Sequence, residues 1–221
     1  MERPTRVYLV RHGETEWNSL GQFQGHQDVA LSEKGRRQAE CARERFSGEN
    51  IAAFYASDLR RALETAVIIA GPHGKPVEPV PELREMDFGC WEGLTFEQIA
   101  GRYPTELVAW FRGPGTVGVP GGESFAQVQE RAWAALRRIA TRHPGERVLV
   151  VSHGGTIRAL LCAALNLSSD AVWRLRLDNA AISTIDFYSD GPVVSLVNDC
   201  SHLRGLHKVA GSKHNSSGGD A

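Results

Sequence analysis

The run VYLV (7–10) places four apolar residues in succession between charged neighbours, the pattern of a short strand covered on both faces. RVLVVS (147–152) repeats that pattern most clearly, and AFYAS (53–57) gives a third such run. KPVEPV (75–80) reads as a further strand, and its two prolines assign it to a sheet edge. Between these runs the apolar positions switch to helical spacing. A helix is predicted over 31–46 with Ser32 as its N-cap. Another runs through LRRALETAVIIA, capped by Ser57 or Asp58 and stopped at Gly71-Pro72. Thr95 with Gln98, and Ser124 with Gln127, form capping-box pairs ahead of a short helix and a long one spanning 125–142. Gly154-Gly155 opens a helix directly after RVLVVS, and two strands, 181–189 and 192–198, are joined at Asp190-Gly191.

Strand and helix alternate along most of the chain. That alternation predicts a three-layer α/β/α fold with a mainly parallel central sheet, formed as a single domain over 1–210. The polar Gly/Ser-rich segment 211–221 is expected to be a disordered tail. The Gly/Pro-rich stretch 113–124 lies between helices and is a candidate mobile loop that shapes substrate choice, rather than a domain linker. Its GPGTVG matches a dinucleotide-binding glycine pattern only in letters, because no strand precedes it and no helix opens on it.

Composition narrows the function classes. The net charge of −1 provides no global field to recruit nucleic acid or an anionic membrane. No apolar run is long enough for a membrane span, and the N-terminus lacks the apolar core of a signal peptide. Cys41, Cys90, Cys162 and Cys200 are scattered without metal-like spacing, so reduced, mostly buried thiols and a cytoplasmic location are expected.

The chemistry sits where the apolar runs stop. In parallel sheets, ligands bind beyond the carboxyl ends of the strands. VYLV delivers Arg11 and His12 to that edge, RVLVVS delivers His153, and AFYAS leads into a helix that begins near Arg61. Converging buried cations need an anion, and a phosphoryl group supplies one. Zinc is the competing reading for paired histidines. It is set aside because neither histidine lies in an HxH or HExxH pattern, and Arg11 would repel a divalent cation. No metal or cofactor is expected.

The segments RHGETEWN, FQGHQDVALSEKG, YASDLRRALETA, LREMDFGCWEG and VVSHGGTIRAL occur in an order that resembles the phosphoglycerate-mutase-like branch of the histidine phosphatase superfamily. The resemblance implies a phosphohistidine intermediate on His12 and Glu85 as general acid and base. It implies that Arg11, Arg61 and His153 grip the phosphoryl oxygens, with Asn18 contributing to the same pocket. The family pattern selects Arg61 over its neighbour Arg60. Gln24 and Gly25 are candidate substrate contacts, and the amides of the HGGT turn, Gly154 among them, are candidate phosphate donors.

The resemblance therefore predicts a metal-independent phosphomonoesterase acting on small metabolites. Cofactor-dependent phosphoglycerate mutase is the alternative. It is disfavoured by the short segment between Glu85 and His153 and by FGCWEG, which resembles the phosphatase members. RLDNAAISTIDF and LVNDCSHL resemble the C-terminal part of metal-independent phosphoserine phosphatases, where His202 matches a recurrent histidine. A binding-only pseudophosphatase should have lost the nucleophile, an arginine or the acid, and all are present. The motif residues leave the oligomeric state open; relatives in the family are often dimers, and the apolar C-terminal strands are the candidate surface for pairing two copies as a homodimer.

Overall fold

Alternate residues of the first strand pack on opposite faces of the sheet. Val7 and Leu9 join one buried cluster, whereas Tyr8 and Val10 join another. The computed structural model describes residues 3–209, so the expected tail from 211 to 221 lies outside the described residues. Its strands are β1 (Thr5–Arg11), β2 (Ala53–Ala56), β3 (Val77–Pro79), β4 (Arg147–Ser152), β5 (Ile182–Tyr188) and β6 (Gly191–Asp199), in the sheet order β3-β2-β4-β1-β5-β6. The first four are parallel, and β5 and β6 add an antiparallel end. Proline-rich β3 stands at the sheet edge, where a missing amide costs least.

The helices are α1 (Glu16–Ser19), α2 (Glu33–Phe46), α3 (Arg60–Ala70), α4 (Phe96–Arg102), α5 (Pro104–Arg112), α6 (Phe125–Arg142), α7 (Gly154–Ala164) and α8 (Arg204–Val209). α2 and α3 bury Ala42, Phe46, Ala62, Ala66 and Ile69 against one face of the sheet. α6 and α7 bury Leu136, Ile139, Ile157 and Leu160 against the other. A third cluster, with Trp91, Trp110, Ile99 and Leu107, lies beneath α4 and α5. Both predicted capping boxes form, at Thr95 and at Ser124.

Three expectations change. Neither Ser57 nor Asp58 caps α3. The Arg60 amide donates to Asp28 Oδ1 at 2.7 Å, while Asp58 pairs with Arg84. The cap comes from a distant loop that the local sequence does not announce. Only Cys162 is buried; Cys90 is exposed on the 3₁₀ turn Gly89–Trp91, and Cys41 and Cys200 are intermediate. Finally, 113–124 is strapped down. Gly115 N donates to Asp170, Glu123 N donates to the Asp87 carbonyl, and Cys90 N donates to the Pro120 carbonyl.

The turn after β1 lies directly on the first turn of α2. A Cβ on Gly35 would stand 2.0 Å from the Glu14 carbonyl oxygen, and one on Gly13 would stand 2.3 Å from that of Gly35. Both obstacles are backbone, so neither can swing aside. Gly35→Ala is expected to cost about 2–3 kcal/mol, lowering the melting temperature by roughly 5–10 °C. An unchanged melting temperature in a thermal unfolding scan would show that this contact is not tight.

Candidate active site

The strand register builds the site. Arg11 on β1 stands opposite Ser152 on β4, so His12 and His153 leave neighbouring strands at the same level. His12 N donates to the Ser152 carbonyl at 2.9 Å, and the two imidazole centroids are 5.1 Å apart. Both rings are buried. The turn below is pinned from two helices: Gly13 N donates to Thr65 Oγ1 on α3, and Glu14 N donates to Gln38 Oε1 on α2.

His12 Nδ1 lies 2.7 Å from the Gly13 carbonyl oxygen. A carbonyl only accepts, so Nδ1 carries the hydrogen and Nε2 keeps its lone pair. Burial pushes the His12 pKa well below its ordinary value, and the positive charges of Arg61 and then Arg11 add to the effect. Burial and Arg61 weigh more than the sequence-adjacent Arg11. His153 is pushed down in the same direction, first by burial and then by Arg61. A protonated His153 donor is therefore disfavoured until an anion enters.

Arg61 is fully buried, whereas Arg60 is exposed. Two carbonyls hold the Arg61 guanidinium, Gln27 O at 2.7 Å and Gly25 O at 2.8 Å. Arg11 Nη1 donates to the Leu177 carbonyl at 2.6 Å. Burial pushes both arginines down to about 10, still charged at neutral pH. Arg11 Nε, Arg61 Nε and both His153 nitrogens are buried without a hydrogen-bond partner among the described residues.

Asn18 Oδ1 accepts from the Thr15 amide and from Asn179 Nδ2, both at 3.1 Å, and its amine has no hydrogen-bond partner among the described residues. Asn179 also reaches the His12 carbonyl at 3.4 Å, a positioning contact that the sequence did not single out. Glu85 lies across the first turn of α7. Its carboxylate accepts from Gly155 N and Thr156 N, each at 3.1 Å, and from Met86 N at 3.0 Å. Two of the HGGT amides, those of Gly155 and Thr156, are thus occupied by Glu85 and not left open for a phosphoryl group, whereas the Gly154 amide does not bind that carboxylate. Gly154 contributes by lacking a side chain: a Cβ there would stand 3.2 Å from Arg11 Nε.

A cavity of ≈ 260 Å³ is lined by Arg11, His12, Asn18, Gln24, Arg61 and Glu85 among others, whereas the buried His153 and Gly154 are not part of its lining. Phe23, Phe88 and Trp173 also form part of its wall. Phe23 and Phe88 fall inside segments the sequence marked. Trp173 lies on a 3₁₀ segment, Ser169–Arg174, that carries no periodic signal. Gly25 lines no part of the cavity and acts through its carbonyl on Arg61. No residue of 113–124 lines it either; the loop reaches the site indirectly, through the Asp87–Cys90 segment, through Asp170 on the segment that carries Trp173, and through Glu123, which holds Arg131 against the Glu85 carbonyl. His202 sits outside, on the turn Ser201–Leu203. Three larger cavities, ≈ 690, ≈ 720 and ≈ 390 Å³, include neither His12 nor His153.

Residues 7–200 match the model of the histidine phosphatase superfamily, branch 1. The chain belongs to that superfamily. It is 36% identical over 200 residues to phosphoserine phosphatase 1 of Hydrogenobacter thermophilus, covering 90% of this chain and 94% of that protein. It is 39% identical over 202 residues to the metal-independent phosphoserine phosphatase of Arabidopsis thaliana, covering 90% and 83%. Among solved structures, a phosphoserine phosphatase mutant of Entamoeba histolytica in complex with phosphoserine superimposes with a TM-score of 0.83 at 32% identity. That match covers 90% of this chain and 99% of that one. The enzyme is a phosphatase of this superfamily, a phosphoric monoester hydrolase with the expected α/β architecture. Among the described residues no helix is long and apolar enough to cross a membrane, and no cluster of three His, Cys, Asp or Glu could hold a metal ion.

Proposed function

We propose that this superfamily phosphatase hydrolyses phosphoserine and similar small phosphorylated hydroxy or amino acids by two displacements at His12. One observation supports it above the rest: His12 presents an uncharged Nε2 beside unpartnered buried donors on Arg11, Arg61 and His153. A phosphoryl group satisfies those donors and places phosphorus against the lone pair.

In the first displacement Nε2 attacks phosphorus in line with the ester oxygen. The charge gathering on the equatorial oxygens is met by the two guanidinium groups, the Asn18 amine and His153, which gains its proton as the dianion enters. Glu85 delivers a proton to the departing alkoxide. In the second displacement the Glu85 carboxylate takes a proton from water as it attacks phosphohistidine. Cofactor-dependent mutase activity is the weaker reading, although relatives named probable phosphoglycerate mutases also match. The cavity opens to solvent past the half-exposed Trp173, which favours water as acceptor.

Two further elements go with this reading. Val193, Leu196 and Val197 are exposed on the edge strand β6, an apolar strip suited to pairing two copies of the chain. The four unpaired thiols fit a reducing, cytoplasmic setting.

The direct test is phosphate release from phosphoserine, 3-phosphoglycerate and p-nitrophenyl phosphate in excess EDTA. Turnover is expected to survive the chelator and to be fastest with phosphoserine. Interconversion of phosphoglycerates outpacing hydrolysis would instead assign the chain to the mutases.

A further inference from the structure

One cation beside the cavity has no assigned task. Arg158 projects from α7 and is half-buried. Its Nε donates to the Leu175 carbonyl at 2.8 Å, and this is its only hydrogen bond among the described residues. Its guanidinium carbon lies 5.6 Å from the centroid of the Trp173 ring, which walls the cavity. Arg158 Nη1 and Arg11 Nε each stand 3.2 Å from where a Cβ on Gly154 would be, so the two guanidinium groups flank the same glycine.

Two like charges held side by side and partly out of water need anionic charge nearby. Glu85 and Asp178 are near enough to favour the charged form of Arg158, yet neither makes an ion pair with it. A phosphoryl dianion is matched by Arg11, Arg61 and His153. Arg158 then remains for a second anionic group on the same substrate.

We propose that Arg158 is a specificity-determining residue that receives the carboxylate of the leaving group. The inference rests on the phosphatase reading above and names the substrate class more closely: phosphate monoesters whose alcohol carries a carboxylate a few bonds from the ester oxygen. Trp173 packs on the planar fork and Leu175 takes Nε, which leaves both Nη groups without a hydrogen-bond partner among the described residues; Arg158 itself is not in the cavity lining, so a bidentate carboxylate reaches it past Trp173. Phosphoserine and 3-phosphoglycerate have this carboxylate; phosphoethanolamine and glycerol phosphate lack it.

The test compares kcat/KM within each pair of substrates for the native enzyme, Arg158→Met and Arg158→Lys. The native enzyme is expected to prefer phosphoserine over phosphoethanolamine by ~10–100-fold, the range for a charge-assisted hydrogen-bonded pair. Arg158→Met should bring that ratio near one, chiefly through KM. Arg158→Lys keeps the charge but loses the Leu175 anchor, and should retain an intermediate ratio. A carboxylate contact alters the ratio, whereas a merely structural role lowers both substrates together. Equal losses on both substrates, or a native enzyme that does not discriminate, would overturn the assignment while leaving the phosphatase reading intact. A native enzyme that hydrolyses none of the four compounds would instead end the proposed phosphoserine reading on which the inference rests. Should Arg158→Met fail to fold, the lysine variant and the second substrate pair carry the same comparison.

Discussion

His12→Ala is expected to lower phosphate release by about 10⁴-fold or more, the scale seen when a covalent nucleophile is removed. The loss should fall on kcat, because Arg11, Arg61 and His153 remain to bind the phosphoryl group. Rapid quenching into alkali followed by peptide mass analysis should find one phosphoryl group on the segment containing residue 12 in the native enzyme and none in the variant. Turnover persisting in His12→Ala would remove the two-displacement scheme altogether. The same imidazole sets an acid limit on activity. A histidine must be neutral to attack, and its charged form is disfavoured first by burial and then by Arg61 and Arg11. Lowering pH from 7 therefore leaves the nucleophile unprotonated past ~6.5, the ordinary histidine value. The acid limb of kcat/KM attributable to His12 should lie below that value.

The parts of this site that the sequence disclosed are those placed by strand ends. VYLV and RVLVVS fix Arg11, His12 and His153 because a buried parallel strand has one length and one exit, and the register of β1 on β4 aligns the two exits. What stayed hidden depends on contacts between distant segments. The cap on α3 comes from Asp28, the hydrogen that fixes the His12 tautomer goes to Gly13, and the α7 amides bind Glu85. Trp173 belongs to an irregular turn whose spacing matches neither a helix nor a strand. The Gly/Pro content of 113–124 suggested mobility, but glycine also allows close backbone approach. A Cβ on Gly122 would stand 2.2 Å from the Asp87 carbonyl oxygen, so here the glycines serve packing.

Glu85→Gln should slow phosphoserine hydrolysis by about 10²–10⁴-fold, the usual contribution of a positioned acid–base group. The size of the loss should depend on the leaving group. Serine departs as a poor alkoxide that needs a proton in the transition state, whereas p-nitrophenolate leaves without one. With p-nitrophenyl phosphate the variant should therefore release a rapid burst of nitrophenol and then turn over slowly, because no carboxylate remains to take the proton from water. Phosphohistidine should accumulate on residue 12 during that slow phase. Gly155→Ala offers a geometric version of the same experiment: its Cβ would stand 2.5 Å from Glu85 Oε1 and push the carboxylate off the two α7 amides. It should reproduce the dependence on leaving group while every catalytic side chain is retained. Equal losses with both esters in the first displacement of Glu85→Gln, read as kcat/KM and as the burst rate, would mean that Glu85 organises the pocket without moving a proton to the leaving group, and the proton donor would have to be sought elsewhere on the cavity wall.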